Sequence, residues 1–202
     1  MKILLATNNI AKVNLFKKIL NQVDPELEVF SPKELGIETI DVEENGATLK
    51  DNALLKAQAY FGKVDMPILG NDTGFYVEGE GFIDTPKRIA LGGADEQTLT
   101  IEETDEKLLN FWKGIATKYG GEVDAAWIIS LTLIDLNGNI KNTEPRREVI
   151  LTNQEFGKGP QQMPIRGLYI SKSTNKPAIL HTEEEEILEM KPVIDALTEI
   201  LK

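Results

Sequence analysis

A short apolar run near the N-terminus, followed by a polar loop and a helical pattern, constrains the fold of this chain most strongly. Residues 3–5 are uninterrupted Ile-Leu-Leu, which is typical of a strand buried on both faces. Thr7, Asn8 and Asn9 follow, and these residue types favour turns and helix caps. Apolar residues then recur at helical spacing over residues 13–20. The pattern predicts a buried strand that leads through a loop into a helix.

The end of this loop is a candidate anion site. A helix N-terminus presents unpaired backbone N–H groups and a partial positive charge, which suit a phosphate, and Lys12 adds a full charge in the first turn. An ordinary capped strand-to-helix turn has the same pattern. The loop alone therefore leaves both interpretations open.

Composition restricts the chemistry that this chain can perform. It has no cysteine, which excludes disulfides, thiolate zinc sites and cysteine nucleophiles. His181 is the single histidine, which argues against a Ser-His-Asp triad or a multi-histidine metal site and favours a carboxylate as any general base. The formal net charge of −11 disfavours binding to a nucleic-acid backbone or to an anionic membrane. A polyphosphate substrate would need local basic groups and a divalent cation to overcome this repulsion.

Length and apolar patterning indicate the class of fold. The 202 residues suit a single α/β domain, residues 1–202, with two lobes. We expect a twisted mixed sheet flanked by helices, with a second smaller lobe. The longest apolar runs are only strand-length, and the N-terminus lacks a leader pattern, so we expect neither a membrane span nor a signal peptide. Together with the lack of cysteine, this favours a cytoplasmic protein.

Two acidic segments lie near a predicted helix and a predicted strand. Residues 43–46 form an acidic turn, and a helix is expected from the N-cap Thr48, with Asp51 as capping-box partner. Lys56 lies on this helix, where a solvated surface role is the simpler interpretation. Residues 66–69 predict a buried strand that is broken by a turn at residues 70–74, with a further short strand at 75–77. Ligands of open α/β sheets bind at such strand ends, although an Asx-rich turn explains the same residues equally well.

The second half of the chain contains the strongest hairpin signal. Asn137-Gly138 follows an alternating β segment, and residues 147–152 are expected to return as its partner strand. Residues 183–186 are a charge run at a helix start, and Pro192 is expected to open or kink the last helix. These antiparallel strands suggest the second lobe.

Three segments together resemble the inosine triphosphate pyrophosphatase family, the noncanonical purine NTP pyrophosphatases. TNNIAK, residues 7–12, is similar to the family's phosphate loop T-x-N-x-x-K. EENG begins at Glu43, eight residues ahead of DNALLKA at Asp51, as the family's E-E-x-G precedes its E-N-A-x-x-K-A helix. NDTG, residues 71–74, matches the family's D-D-S-G or E-D-T turn. The resemblance covers residues 1 to about 75 well.

The resemblance implies an enzyme that hydrolyses a nucleoside triphosphate to the monophosphate and pyrophosphate in a nucleotide cleft between the two lobes. It also implies Mg²⁺ as cofactor and a homodimer. Glu43 and Asp72 would hold the Mg²⁺, and Asp72 would also orient or deprotonate the attacking water. Mg²⁺ prefers such hard oxygen ligands. The phosphate contacts that it implies are Thr7, Asn8, Asn9, Ile10, Ala11, Lys12, Lys56 and Thr73.

The family's base-reading motifs are missing. QQMPIRGLYI stands where G-F-G-Y-D-P-x-F is expected, with Arg166 in place of the Asp, and the family's S-H-R falls on Lys191, Pro192 and Val193. Arg166 and Lys191 are therefore the candidates for contact with the base, and the resemblance does not fix which base is preferred. A pyrophosphatase for modified pyrimidine or standard nucleotides and a noncatalytic nucleotide-binding protein remain as alternatives.

Overall fold

Helices and strands alternate in the first part of the chain. The computed structural model describes residues 1–38, 40–83, 86–93 and 98–202. The helices are α1 (Ile10–Val23), α2 (Leu49–Gln58), α3 (Pro86–Leu91), α4 (Ile101–Lys118) and α5 (Glu183–Ile200). The strands are β1 (Lys2–Leu5), β2 (Glu28–Phe30), β3 (Ile68–Val77), β4 (Gly81–Ile83), β5 (Glu122–Ile134), β6 (Ile140–Thr143), β7 (Arg146–Thr152), β8 (Tyr169–Ser171) and β9 (Lys176–Pro177). Short 3₁₀ turns cover Pro164–Gly167 and Ala178–Leu180. Over these ranges, no helix combines the length and apolarity that crossing a membrane requires.

The chain divides into two compact units. Unit 1 contains Met1–Thr73, Ile128–Arg146 and Met190–Lys202, and unit 2 contains Gly74–Trp127 and Arg147–Glu189. In unit 1, β1 pairs in parallel with β2 and β3, and β6 pairs antiparallel with β5. In unit 2, β4 pairs antiparallel with the end of β3, and β8 pairs antiparallel with both β7 and β9. The sheet is therefore mixed and flanked by helices, as predicted.

In unit 1, β1 is covered on both faces, as its unbroken apolar run predicts. Ile3 and Leu5 belong to a cluster that includes the buried face of α1 and the C-terminal part of α5. Leu4 belongs to a second cluster with Ala57 of α2 and Tyr60. Successive side chains of a strand point to opposite faces, so the two clusters lie on opposite sides of β1.

The turn expected at residues 70–74 is wrong, because β3 continues through it to Val77. Gly70 lies within this strand and is covered closely by α2. A Cβ at this position would lie 2.0 Å from the Ala53 carbonyl oxygen and 3.0 Å from the Ala57 Cβ, both on α2. This glycine therefore allows the helix to lie directly on the strand, and Asp72 is a strand residue.

The hairpin at Asn137-Gly138 is confirmed, but the strand that directly follows its turn is β6, which pairs with β5 in the register Ile134↔Ile140. Residues 147–152, the predicted partner, belong to β7, which is also a neighbour of β5 in the sheet order. Gly138 has φ +82°, the left-handed conformation that the tight turn needs. Pro145 follows β6 closely and has no N–H to donate, which favours an end to the ladder there.

The last helix begins at Glu183, within the predicted charge run, and Pro192 lies inside it. Pro192 therefore does not open the helix. Residues on its C-terminal side, Val193, Leu197 and Ile200, are buried in the core of unit 1. This packing stabilises the helix beyond the proline, whose missing N–H removes one helical hydrogen bond.

The core of unit 2 is aromatic. Phe75 packs edge-on against Trp112 and Trp127, with ring centroids 5.2 and 4.7 Å apart. Trp112 is 3% exposed and lies in this core. Edge-to-face contacts of this kind stabilise a core beyond the area they bury.

Candidate functional site

The loop before α1 is built by its own side chains. Asn9 is the N-cap, and its side-chain oxygen accepts a hydrogen bond from the Lys12 N–H at 3.1 Å. The Thr7 hydroxyl accepts from the Asn9 N–H at 3.2 Å, and the Asn8 side-chain oxygen accepts from the Lys33 N–H at 3.1 Å. The N–H groups of residues 10 and 11 have no acceptor within the helix. The loop thus caps α1 through its own side chains, and its role as a phosphate site stays a prediction.

Helix α2 begins with the predicted capping box. The Thr48 hydroxyl accepts from the Asp51 N–H at 3.1 Å, and the Asp51 carboxylate accepts from the Thr48 N–H at 3.1 Å. This box fixes the start of the helix and so the direction of Asn52 and Lys56, which lie four residues apart on one face.

Asn52 and Lys56 both reach Asp72 in unit 1. Lys56 Nζ lies 2.9 Å from Asp72 Oδ1 and 2.8 Å from Glu44 Oε2. Asn52 Nδ2 donates to Asp72 Oδ2 at 3.4 Å, and Asn52 Oδ1 accepts from the Gly46 N–H at 2.8 Å. One helix face therefore connects the acidic turn to the strand carboxylate.

The central pair of this cluster is shielded from solvent. The Lys56 and Asp72 side chains are 12% and 11% exposed, whereas Glu44 is 49% exposed. A shielded pair of only two charges is strongly destabilised when one partner is removed, but here Glu44 also contacts Lys56, so the loss of one carboxylate leaves the ammonium group an ionic partner. Glu44 is the member of the cluster that is exposed to solvent.

Lys12 belongs to the same electrostatic environment. Burial lowers the pKa of the Lys12 ammonium below its usual range, and the Lys56 ammonium lowers it further, whereas Asp72 and Glu44 act in the opposite direction. A lysine with this balance gains from any additional negative charge, because an anion favours the ammonium form. The charge at the start of α1 and the charges around Asp72 therefore influence each other.

The acidic turn places its two glutamates differently. Glu43, the predicted metal ligand, is exposed, and among the described residues its carboxylate forms no ion pair. The neighbouring Glu44 is the one that meets Lys56. Adjacent acidic residues in an irregular turn have no periodicity that tells which one points inward, so the sequence could not separate them.

Asn71 and Asn52 are two further residues that the sequence analysis did not assign to the site. Asn71 is 1% exposed, and within the described part of the chain neither the nitrogen nor the oxygen of its amide has a hydrogen-bond partner. Strand alternation places Asn71 and Thr73 on the face of β3 opposite to Asp72. Leu5 pairs with Leu69, so all three lie just beyond the end of β1, where residues 7–12 begin. The repeated Asn at positions 52 and 71 beside acidic residues was the available signal.

The donor set fits a magnesium ion. Asp72 and Glu44 offer carboxylate oxygens that already accept from one ammonium group, and Asn52 orients the second oxygen of Asp72. Across the described ranges, no group of three or more His, Cys, Asp or Glu residues could hold a metal. Mg²⁺ commonly takes only one or two carboxylates and completes its shell with water and substrate phosphates.

The two residues proposed for base contact are already paired with carboxylates. Arg166, in unit 2, lies in the 3₁₀ turn Pro164–Gly167 and forms an ion pair with Glu186 at 2.7 Å. Lys191, in unit 1, lies in α5, pairs with Asp195 at 2.8 Å, and is 63% exposed. Neither was found among the contacts of Asp72. Their roles stay predictions, and an exposed helical surface is the simpler place for Lys191.

Unit 2 has a buried polar network of its own. Glu189 Oε1 accepts from Arg147 Nη1 at 2.8 Å and from the Tyr169 hydroxyl at 3.3 Å, and Glu189 Oε2 lies 3.3 Å from His181 Nδ1. Burial, followed by the Glu189 charge, raises the pKa of Tyr169 to about 12. The single histidine therefore lies in a core network, and its Nε2 contacts the Thr174 hydroxyl at 2.8 Å.

Comparison with known proteins places the chain in a family. Residues 3–81 match the family model of the Ham1 family. A dITP/XTP pyrophosphatase of Clostridium tetani is 32% identical over 158 residues, which cover 77% of this chain and 73% of the relative. The chain belongs to the Ham1 family. This confirms the predicted relationship to the inosine triphosphate pyrophosphatases.

Other members of the Ham1 family match over shorter parts. A dITP/XTP pyrophosphatase of Thermoanaerobacter sp. strain X514 is 32% identical over 115 residues, which cover 57% of this chain. The matched part spans 55% of that relative's length.

Solved Ham1 structures match over the whole chain. The Staphylococcus aureus Ham1 protein has a TM-score of 0.70 at 21% identity, covering 100% of this chain and 98% of that one. A nucleoside-triphosphatase / dITP/XTP pyrophosphatase from Mycobacterium abscessus has a TM-score of 0.67 at 20% identity, covering 100% and 99%. The likeness confirms the predicted α/β fold.

Proposed function

We propose that this chain is a Mg²⁺-dependent house-cleaning pyrophosphatase of the nucleotide pool that hydrolyses NTP and dNTP, noncanonical purine nucleotides among them. The observation that carries the proposal is the shielded Asp72, 2.9 Å from Lys56, in the same environment as Lys12 at the start of α1. Carboxylates and lysines together at this edge suit a metal-bound polyphosphate. The names of the Ham1 relatives, dITP/XTP pyrophosphatases, support this class of substrate.

The reaction joins a water oxygen to the α-phosphorus and breaks the bond between that phosphorus and the oxygen bridging to the β-phosphorus. The products are the nucleoside monophosphate and pyrophosphate. Asp72 is the proposed group that orients the water and accepts its proton, since Asn52 and Lys56 hold its two oxygens in a fixed direction. The loop of residues 7–12 and Lys56 would bind the phosphates, which become the leaving group.

Asp72, together with an acidic residue of the turn at 43–44, would hold the Mg²⁺. When bound, this ion neutralises phosphate charge and lowers the pKa of a coordinated water. We retain Glu43 as the ligand that the family resemblance implies, and the contacts of Glu44 make it a second candidate. The resemblance also implies a homodimer, which light scattering at several protein concentrations tests.

Pyrophosphate release from a panel of nucleoside triphosphates, with and without Mg²⁺, tests the proposed function. We expect Mg²⁺-dependent release and only a modest preference of inosine triphosphate over ATP and GTP, because the base-reading motifs of the family are missing.

Arg166 is a donor-only side chain and can pair with a keto oxygen but not with an amino group. In Arg166→Ala the preference for keto bases should fall. A strong preference that survives this substitution would show that other residues select the base.

Lys12→Ala should weaken triphosphate binding more than monophosphate binding. A lysine at a helix start acts mainly through phosphate charge, and the triphosphate offers more of it. Calorimetry with a monophosphate and a non-hydrolysable triphosphate analogue measures both affinities. Lys18→Ala, on the same helix, is the control and should change neither. Equal losses for both ligands would place Lys12 away from the outer phosphates.

A further inference from the structure

The Lys56 ammonium lies between two carboxylates where the proposed function needs a divalent cation. Nζ is 2.8 Å from Glu44 Oε2 and 2.9 Å from Asp72 Oδ1. We propose that Lys56 is a built-in counter-ion: it competes with the divalent cation for these two carboxylates, and the substrate triphosphate ends the competition by taking the ammonium group. The inference rests on the proposed function, because it concerns that reaction's cation.

The surroundings allow Lys56 to leave while the carboxylate stays. Asp72 Oδ2 is held separately by Asn52 Nδ2, and Asn52 is held in turn by the Gly46 N–H. A lysine ammonium is a compact charge on a flexible four-carbon stem, so rotations of the stem move it without moving α2. Glu44 is 49% exposed and gives a hydrated cation access to the pair.

Charge balance makes the exchange depend on the nucleotide. Lys12 and Lys56 balance the charges of Asp72 and Glu44 in this cluster. A divalent cation that entered alone would face both ammonium groups and leave Lys56 without an anionic partner. A triphosphate supplies that partner for Lys56. Cation and triphosphate should therefore bind with positive coupling, each raising the affinity for the other by the same factor.

Binding of Mn²⁺ to the nucleotide-free protein tests the competition directly. Mn²⁺ replaces Mg²⁺ as the probe, and electron paramagnetic resonance measures its free fraction. Lys56→Met keeps the stem and removes the charge, so we expect Mn²⁺ to bind at least about tenfold more tightly than to the wild type, since a like charge within about 4 Å is lost. Lys50→Met, an exposed lysine of the same helix, removes the same charge and should leave the affinity nearly unchanged.

A second titration measures the coupling. With a saturating non-hydrolysable triphosphate analogue, Mn²⁺ affinity of the wild type should rise strongly, and this rise should be smaller in Lys56→Met. If Lys56 only contacted phosphate, the Mn²⁺ affinity measured without the analogue would be the same in the wild type and in every variant.

Lys56→Gln serves as a second neutral variant, and circular dichroism checks that each variant is folded. Mn²⁺ affinity in both neutral variants equal to or weaker than that of the wild type would overturn the proposal. So would a wild type that binds no Mn²⁺ with or without the analogue. Tighter Mn²⁺ binding in the neutral variants, with no pyrophosphate release by the wild type, would instead contradict the proposed function and leave the exchange standing.

Discussion

Asp72→Asn is expected to lower the rate of pyrophosphate release by about a thousandfold, within the range of about 10²–10⁴ that a general base contributes. The substitution keeps the shape of the side chain and an oxygen that can accept from Lys56 Nζ, now 2.9 Å away. It removes the negative charge that we propose holds the cation and the basicity that we propose accepts a proton from water. Steady-state kinetics at saturating Mg²⁺ and nucleotide measure the effect.

The fold should survive this substitution, because Lys56 keeps Glu44 as its ionic partner. Thermal unfolding followed by circular dichroism checks this. Asp65→Asn, at an exposed position of the same unit, is the matched control and should leave the rate unchanged. A rate for Asp72→Asn within a few-fold of the wild type would remove Asp72 from the chemistry and, with it, the observation on which the proposed function depends.

The first half of the chain was predicted well because its signals are local. An unbroken apolar run, an Asn cap and a capping box each act within a few residues, and β1, α1 and α2 form as these signals predict. The pair of Lys56 with Asp72 was not predicted, because the sequence favoured a solvated surface position for Lys56, whose side chain is only 12% exposed.

The errors came where distant contacts decide. NDTG consists of turn-forming residues, yet β3 runs through it because α2 packs on Gly70 and neighbouring strands supply hydrogen bonds. Which glutamate of the acidic turn contacts Lys56 also depends on where α2 projects that lysine, and the metal-ligand role of Glu43 stays a prediction. Likewise, Pro192 lies inside a helix because the residues beyond it are buried. None of these contacts leaves a trace in the local sequence.

The contacts of Arg166 and Lys191, the candidate residues for binding the base, were likewise not predicted from the sequence. Both residues stand at the positions of motifs that this chain lacks. Both form ion pairs with carboxylates of α5, Arg166 with Glu186 and Lys191 with Asp195. Surface ion pairs of this kind contribute little to stability, so their presence neither fixes the fold nor selects a ligand. The position of a missing motif is therefore weaker support for a functional role than the contacts around Asp72 are.

Gly70→Ala is expected to destabilise unit 1 strongly, although it adds only one methyl group. The new Cβ would lie 2.0 Å from the Ala53 carbonyl oxygen, so α2 or β3 must move by more than side-chain adjustment allows. Overpacking of this severity should lower the free energy of unfolding by about 3 kcal/mol or more. Because α2 carries Asn52 and Lys56, pyrophosphate release should fall as well.

Urea and thermal unfolding of Gly70→Ala measure the loss, and a decrease of about 3 kcal/mol corresponds to a fall in Tm of about 6–12 °C for a chain of this size. Gly114→Ala is the matched control: Gly114 lies inside α4 with no atom within 4 Å of a new Cβ, so the same methyl group should stabilise the protein by about 0.5–1 kcal/mol through helix propensity. If Gly70→Ala instead unfolds like the wild type, α2 does not press on β3, and the contact that aims Lys56 at Asp72 must come from elsewhere.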